Sequence, residues 1–172
     1  MLSSILSKAD CAACKFCCSF RRTSLWETPV FDEVTRDKLQ ELKPSAKFRK
    51  IDNNSSNYSF DLSDCYKTNN SEEEAPCPFL DSESGCTLPP ELKPFDCKIW
   101  PLRAVEMPGA SKRLAVALTP TCPAINKVHL EKVRELAESG LGKTILDYAA
   151  EHPEMVKEYS DFLSTIVYTN RE

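Results

Sequence analysis

The chain has 172 residues with 22 Lys and Arg against 26 Asp and Glu, a formal net charge of −4. That balance argues against a nucleic-acid binder, and no apolar run approaches the ~18 residues that a transmembrane helix needs. With 41% apolar and 28% charged residues, the composition is that of an ordinary globular protein able to bury a core. The exception is its nine cysteines.

Taken in chain order, residues 1–22 predict a cysteine-bearing turn or short helix that runs into Arg21 and Arg22. Thr28-Pro29 opens a helix, because proline is tolerated at the first helical position. Val34, Leu39 and Leu42 form its apolar stripe, and Pro44 stops it. Lys47–Ile51 and Tyr58–Leu62 flank the polar run Asn53–Asn57 and read as a hairpin, with Tyr58, Phe60 and Leu62 alternating. Thr68–Glu74 is an acidic, solvated linker.

Arg103–Met107 and Arg113–Thr119 flank Pro108-Gly-Ala-Ser111 and predict a second hairpin, with Leu114, Val116 and Leu118 alternating. Beyond Pro123 the composition turns helical. Ile125, Val128, Val133 and Leu136 make one amphipathic face, closed by Ser139-Gly140 as a C-terminal cap. A short helix near Lys143–Ala150 follows. Pro153 then opens a last helix with Val156, Tyr159, Leu163 and Ile166 on one stripe. The expected organisation is a cysteine domain over residues 1–123 and a helical cover over 124–172. The expected class is α+β, a small metal-stapled domain with short hairpins and a C-terminal helical segment.

The cysteines are Cys11, Cys14, Cys17, Cys18, Cys65, Cys77, Cys86, Cys97 and Cys122. Disulfides are the weak reading: residues 1–10 show no export signal, and an odd count leaves one thiol over. The corresponding expectation is a cytoplasmic location. Four thiols within Cys11-Ala-Ala-Cys14-Lys-Phe-Cys17-Cys18 would repel one another as thiolates and oxidise readily unless a metal holds them. Thiolate is a soft ligand, and a cation favours its deprotonation. The Cys-x2-Cys step lets two sulfurs reach one ion through a tight turn, as in zinc knuckles. Two such steps in succession also begin iron–sulfur loops. Cys77, Cys86, Cys97 and Cys122 each lie beside turn residues, namely Pro76 and Pro78, Gly85, Pro94, and Pro120 with Pro123. Loop-borne ligands of this kind are usual in metal-stapled folds. Eight cysteines therefore suggest two four-thiolate sites or one larger cluster. Zinc and iron–sulfur both accept four thiolates.

These residues resemble the YkgJ-type cysteine-cluster family of zinc- or iron-chelating domains. CAACKFCC at 11–18 is similar to that family's C-x2-C-x2-C-C signature. CPFLDSESGC at 77–86 and KPFDCKIWPLR at 93–103 resemble its second and third blocks, and Cys122 fits a late cysteine. The resemblance implies a metal site and no single reaction. A related region occurs in flagellin lysine-N-methylase, which resembles an iron–sulfur protein. The chain departs from the pattern at Leu92-Lys93-Pro94, where the family often has an aromatic and an Arg-Pro. Cys65 matches no family ligand.

The candidate ligands are thus Cys11, Cys14, Cys17, Cys18, Cys77, Cys86, Cys97 and Cys122. An iron–sulfur cluster is favoured over zinc, with a redox or group-transfer-associated role. The alternatives are a structural zinc module that presents a surface to a protein partner, and a metal-dependent enzyme acting on a protein or a small molecule. No nucleic-acid or membrane partner is expected. Adjacent thiols diverge on any regular backbone, so Cys17 and Cys18 are expected to face different metal groups. On a helix, Cys11, Cys14 and Cys18 would share one face. Lys15, Arg21, Arg22, Lys98 and Arg103 are candidate counter-charges, and Trp26 and Trp100 candidate shields against water, although surface charge and core packing are the plainer explanations. His129 and His152 read as surface or capping residues. No nucleotide-binding glycine motif, triad signature or radical S-adenosylmethionine spacing is present.

Overall fold

Short turns rich in Pro, Gly, Asn and Asp break much of the chain into brief elements, and the computed structural model shows how they pack. The structure describes residues 2, 5–22, 24, 27–109, 113–159 and 164–170. The chain divides into two compact units, residues 11–98 and residues 1–10 with 99–172. They are called here the cysteine unit and the sheet unit. Helices and small, mostly antiparallel sheets are both present, so the class is α+β. The change of composition after Pro123 lies inside the sheet unit.

The cysteine unit contains most of helix α1 (Lys8–Cys14), strand β1 (Ser19–Arg21), helix α2 (Glu33–Leu42) and strands β2 (Phe48–Lys50) and β3 (Tyr58–Phe60). Strands β4 (Glu74–Pro76), β5 (Leu80–Asp81) and β6 (Gly85–Cys86) follow, and α3 (Phe95–Ile99) closes it. Three two-stranded antiparallel ribbons result: β1 with β4, β2 with β3, and β5 with β6. The β2–β3 hairpin has the expected polar loop.

Helix α2 starts later than its proline suggested. Its N-cap is Asp32, whose carboxylate accepts from the Thr35 N–H at 2.8 Å. Residues 28–31 are instead drawn out beside β3. The Pro29 carbonyl accepts from the Ser59 hydroxyl at 2.8 Å, and Phe31 exchanges backbone bonds with Tyr58 at 2.7 and 3.0 Å. The Val30 N–H donates to the buried carboxylate of Asp96 at 3.0 Å. Only Leu39 of the expected stripe is fully buried, while Val34 and Leu42 are exposed.

What fills this unit is aromatic. The Phe60 ring, 1% exposed, lies 5.3–6.2 Å from those of Phe20, Phe31, Phe48 and Phe79. Offset and tilted contacts at such distances are favoured by the ring quadrupoles. Leu39, Ala46, Leu62, Ala75 and Leu88 complete the cluster, and Cys77 is one of its buried members.

The sheet unit is built on β7 (Leu102–Glu106) and β8 (Leu114–Leu118), the predicted second hairpin; residues 110–112 of its turn lie outside the described residues. Leu102, Ala104, Val105, Ala115, Val116 and Ala117 are all fully buried. The alanines between the alternating large residues therefore mark a second buried face rather than a solvent face. Helices α4 (Leu130–Leu136) and α5 (Gly142–Glu151) follow, with the chain turning at Gly140 (φ 119°), where a helix end was expected. Residues 125–127 form only a 3-10 turn before α4. Helix α5 packs Ile145, Leu146 and Ala149 inward.

The last predicted helix is absent among the described residues. Pro153–Met155 make a single 3-10 turn, followed by strands β9 (Lys157–Glu158) and β10 (Thr165–Thr169). The run Thr-Ile-Val-Tyr-Thr is β-branched and aromatic, which suits a pleated surface better than a helix. The strand order is β10-β8-β7-β9, with β9 parallel to β7. Leu163 of the expected stripe lies outside the described residues.

One close approach in this unit is testable. A Cβ at Gly142 would stand 2.4 Å from Tyr168 Cγ and 2.9 Å from the Ala137 carbonyl oxygen. On helix propensity alone, Gly142→Ala should stabilise by roughly 0.8–1 kcal/mol. The overlap with an aromatic ring and a backbone oxygen reverses the sign, and a loss of about 1–3 kcal/mol is expected. Chemical denaturation of the variant checks this; an unchanged or raised midpoint would contradict the packing of Tyr168 on α5.

Candidate metal centre

The Cys11–Cys18 run is not one continuous helix. Helix α1 ends at Cys14, Lys15 adopts a left-handed conformation (φ 56°, ψ 0°), and Phe16–Cys18 form a 3-10 turn leading into β1. The expectation that Cys11, Cys14 and Cys18 share one helical face is thereby overturned. A left-handed residue in the middle of Cys-x2-Cys-x2-Cys-Cys redirects the second half of the motif.

Pairing of β1 with β4 then brings remote cysteines together. Ser19 stands opposite Pro76, and one step beyond it the Cys77 N–H donates to the Cys18 carbonyl at 2.7 Å. After Cys77 the chain turns at Pro78, and the Leu80 N–H returns to the Cys77 carbonyl at 3.0 Å. That turn delivers β5, whose Leu80 lies opposite Cys86 in β6. Gly85 adopts φ 78°, and a Cβ on it would stand 2.9 Å from Ala12 Cα. The Gly85-Cys86 strand therefore rests directly on the backbone of the helix that carries Cys11 and Cys14.

Cys77 is the buried centre of this arrangement, at 8% exposure. Burial pushes its thiol up to about 12, with the nearby Cys86 and Cys17 adding to the rise; a hydrogen bond from the Phe79 backbone N–H and the charge of Lys43 oppose it. Cys17, Cys18 and Cys86 are partly buried around it. No cysteine is joined in a disulfide.

The remaining candidates are Cys97 and Cys122. Cys97 is half-buried in α3, where its N–H donates to the Pro94 carbonyl at 3.0 Å. Cys122 is buried but belongs to the sheet unit. Cys65, outside the expected ligand set, is exposed in a 3-10 turn next to the Lys47–Asp64 ion pair. Among the described residues, no group of three or more His, Cys, Asp or Glu side chains is already drawn into metal-binding geometry. The donor chemistry nonetheless fits a thiophilic metal. The cysteine sulfurs are soft donors, and Cys77 lies where an uncompensated thiolate is disfavoured. Of the expected ligands, the β1–β4 and β5–β6 pairings relate Cys18, Cys77 and Cys86, with Cys17 preceding Cys18 and with Cys11 and Cys14 on the adjoining helix.

Two of the expected counter-charges are engaged differently. Arg21 pairs with Glu27 and, at 2.9 Å, with Glu72; Arg22 bonds the Thr68 carbonyl and lies 3.8 Å from Glu73. The Glu73 carboxylate also accepts from the Lys67 and Thr68 N–H groups. The acidic segment 68–74 is therefore held to β1 by charge pairs rather than acting as a free linker. Arg103, in the sheet unit, is buried with its guanidinium 4.4 Å from the Trp100 ring centre. Trp26 lies outside the described residues. His152 ends α5, stacking on Tyr148 at 4.1 Å, and His129 precedes α4 and is exposed.

Three features were missed by sequence reasoning. Lys43, 34 positions before Cys77, donates to the Pro78 carbonyl at 2.5 Å; Asp96 anchors Val30; and Asp81 shapes the turn before Cys86. The only local signal was the Asp-x-x-Ser of residues 81–84.

The Asp81 carboxylate accepts from the Ser84 N–H at 2.7 Å, the Ser84 hydroxyl at 2.8 Å and the Glu83 N–H at 3.0 Å, and these bonds hold it at about 2. Because the folded value is depressed below the ordinary 3.8, the contribution of this turn is fully present above ~4 and is lost as pH falls toward ~2. The expected result is an Asp81 carboxyl resonance that titrates near 2, with Ser84 amide exchange accelerating over the same window. A midpoint near the ordinary value would contradict the capped turn.

The chain was compared with family models, with curated proteins and with solved structures, and none of them matches it.

Proposed function

We propose that the chain binds a cysteine-ligated metal group in the cysteine unit, an iron–sulfur cluster in preference to zinc. The single observation behind this reading is the strand pairing that sets Cys77 beside Cys18 and carries the chain through β5 to Cys86, with the Cys77 thiol buried. The C-x2-C-x2-C-C motif and its resemblance to the YkgJ-type cysteine-cluster family support it. Iron–sulfur is preferred because two Cys-x2-Cys steps follow one another and thiols outnumber the needs of one zinc ion. When bound, such a cluster supplies one-electron redox chemistry, which fits a redox or group-transfer-associated role.

The protein's own contribution is to hold thiolates at buried and partly buried positions. It donates the Phe79 N–H toward the Cys77 sulfur and pins the segments to one another through β1–β4 and β5–β6. N–H donors to thiolate sulfur raise a cluster's potential. The metal would add to the phenylalanine core, of which Cys77 is a member and against which Cys18 and Cys86 pack. A zinc module presenting a surface to a protein partner is the competing reading, favoured by the short Cys-bearing turns.

Cys77→Ser and Cys65→Ser together form the test, read as iron, zinc and sulfide per chain after anaerobic purification. Cys77→Ser is expected to lose most of the metal and Cys65→Ser none. Equal losses in both variants, or none in either, would remove the assigned centre.

A further inference from the structure

We propose that Lys43 is the electrostatic counter-ion of the thiol group around Cys77, a positioning residue that strengthens metal retention without touching the metal. This rests on the metal-binding reading above. The sequence nominates Arg21 and Arg22 for such a role, but both are engaged with Glu27, Glu72, Glu73 and the Thr68 carbonyl. Lys43 is placed differently. It is the C-cap of α2, its N–H bonded to the Leu39 carbonyl at 3.0 Å, and Leu39 is fully buried in the aromatic core. The backbone origin of the side chain is thereby held.

From there the ammonium donates to the carbonyl of Pro78, the residue directly after Cys77. Lys15 makes the matching contact on the other loop, donating to the Ser82 carbonyl between β5 and β6. Four thiolates around Zn²⁺ or [4Fe–4S]²⁺ leave a net charge of about −2. A cation fixed at one edge of that charge stabilises the loaded state. A helix C-terminus is also where a lysine is favourably seated.

The test titrates EDTA against anaerobically purified wild-type protein and the Lys43→Met, Lys43→Arg and Lys50→Met variants, at low and high salt. Lys50 is an exposed residue at the end of β2, and it controls for the change in net charge. Lys43→Met is expected to release half its metal at about three- to tenfold less chelator than wild type at low salt. Lys43→Arg and Lys50→Met are expected to match wild type. The gap should narrow at ~1 M salt, where the screening length falls to ~3 Å.

Metal-loaded Lys43→Met that behaves as wild type at low salt overturns the inference while leaving the metal reading intact. A gap that persists undiminished at high salt also overturns it, because it assigns Lys43 to a neutral tether. Wild-type protein that carries no metal overturns both.

Discussion

Phe60→Ala is expected to destabilise the cysteine unit by about 3–5 kcal/mol, the usual cost of emptying a buried aromatic site. Phe60 is 1% exposed, and its ring is in contact range of four other phenylalanines. Those neighbours come from β1, the segment before α2, β2 and the turn after Cys77, so the ring joins four separate stretches of chain. No single neighbour can collapse into the space without leaving its own segment. Against a total stability of roughly 5–15 kcal/mol for a domain, such a loss threatens the fold. The measurement is denaturant unfolding followed by near-ultraviolet circular dichroism. A change under ~1 kcal/mol would mean that metal, and not the aromatic cluster, supplies most of the stability.

Gly85→Ala is the second large effect expected. Two costs combine at this position. An alanine at φ 78° enters the left-handed region, at roughly 1–2 kcal/mol. Its methyl would also stand 2.9 Å from Ala12 Cα, and a backbone atom cannot rotate away as a side chain can, which adds roughly 1–3 kcal/mol. Relief requires α1 to lift from the β5–β6 hairpin, which parts Cys11 and Cys14 from Cys86. The variant should therefore show both a lowered melting temperature and reduced metal content. Normal melting would contradict the seating of α1 on the hairpin; normal metal content with lowered melting would remove Cys11 and Cys14 from the centre.

Local chemistry made some elements legible in the sequence. The polar run Asn53–Asn57 between alternating apolar residues gives β2–β3, the equivalent pattern around residues 108–111 gives β7–β8, and the short helix expected near Lys143–Ala150 is α5. The errors came where one residue was weighted above its neighbours. Pro29 and Pro153 suggested helix starts, but Pro29 belongs to an extended segment bonded to β3, and Pro153 only begins a 3-10 turn. The β-branched residues 165–169 carried the stronger signal. At the candidate centre, the Cys-x2-Cys steps and the Cys77–Cys86 block were visible because their chemistry is local. The left-handed Lys15, the Asp96–Val30 bond and the Lys43–Pro78 bond were not, since each depends on how separate segments meet. Nor did spacing indicate that Cys122 belongs to the sheet unit.

Iron, zinc and acid-labile sulfide per chain, measured on anaerobically purified protein, test the central claim most directly. The expected result is stoichiometric iron with matching sulfide and a visible absorption band that bleaches on reduction, all lost in Cys77→Ser. Stoichiometric zinc without sulfide would contradict the iron–sulfur assignment and leave the thiol centre as a zinc module. Traces of either metal, with all nine thiols of the native protein free to react, would contradict the metal centre itself.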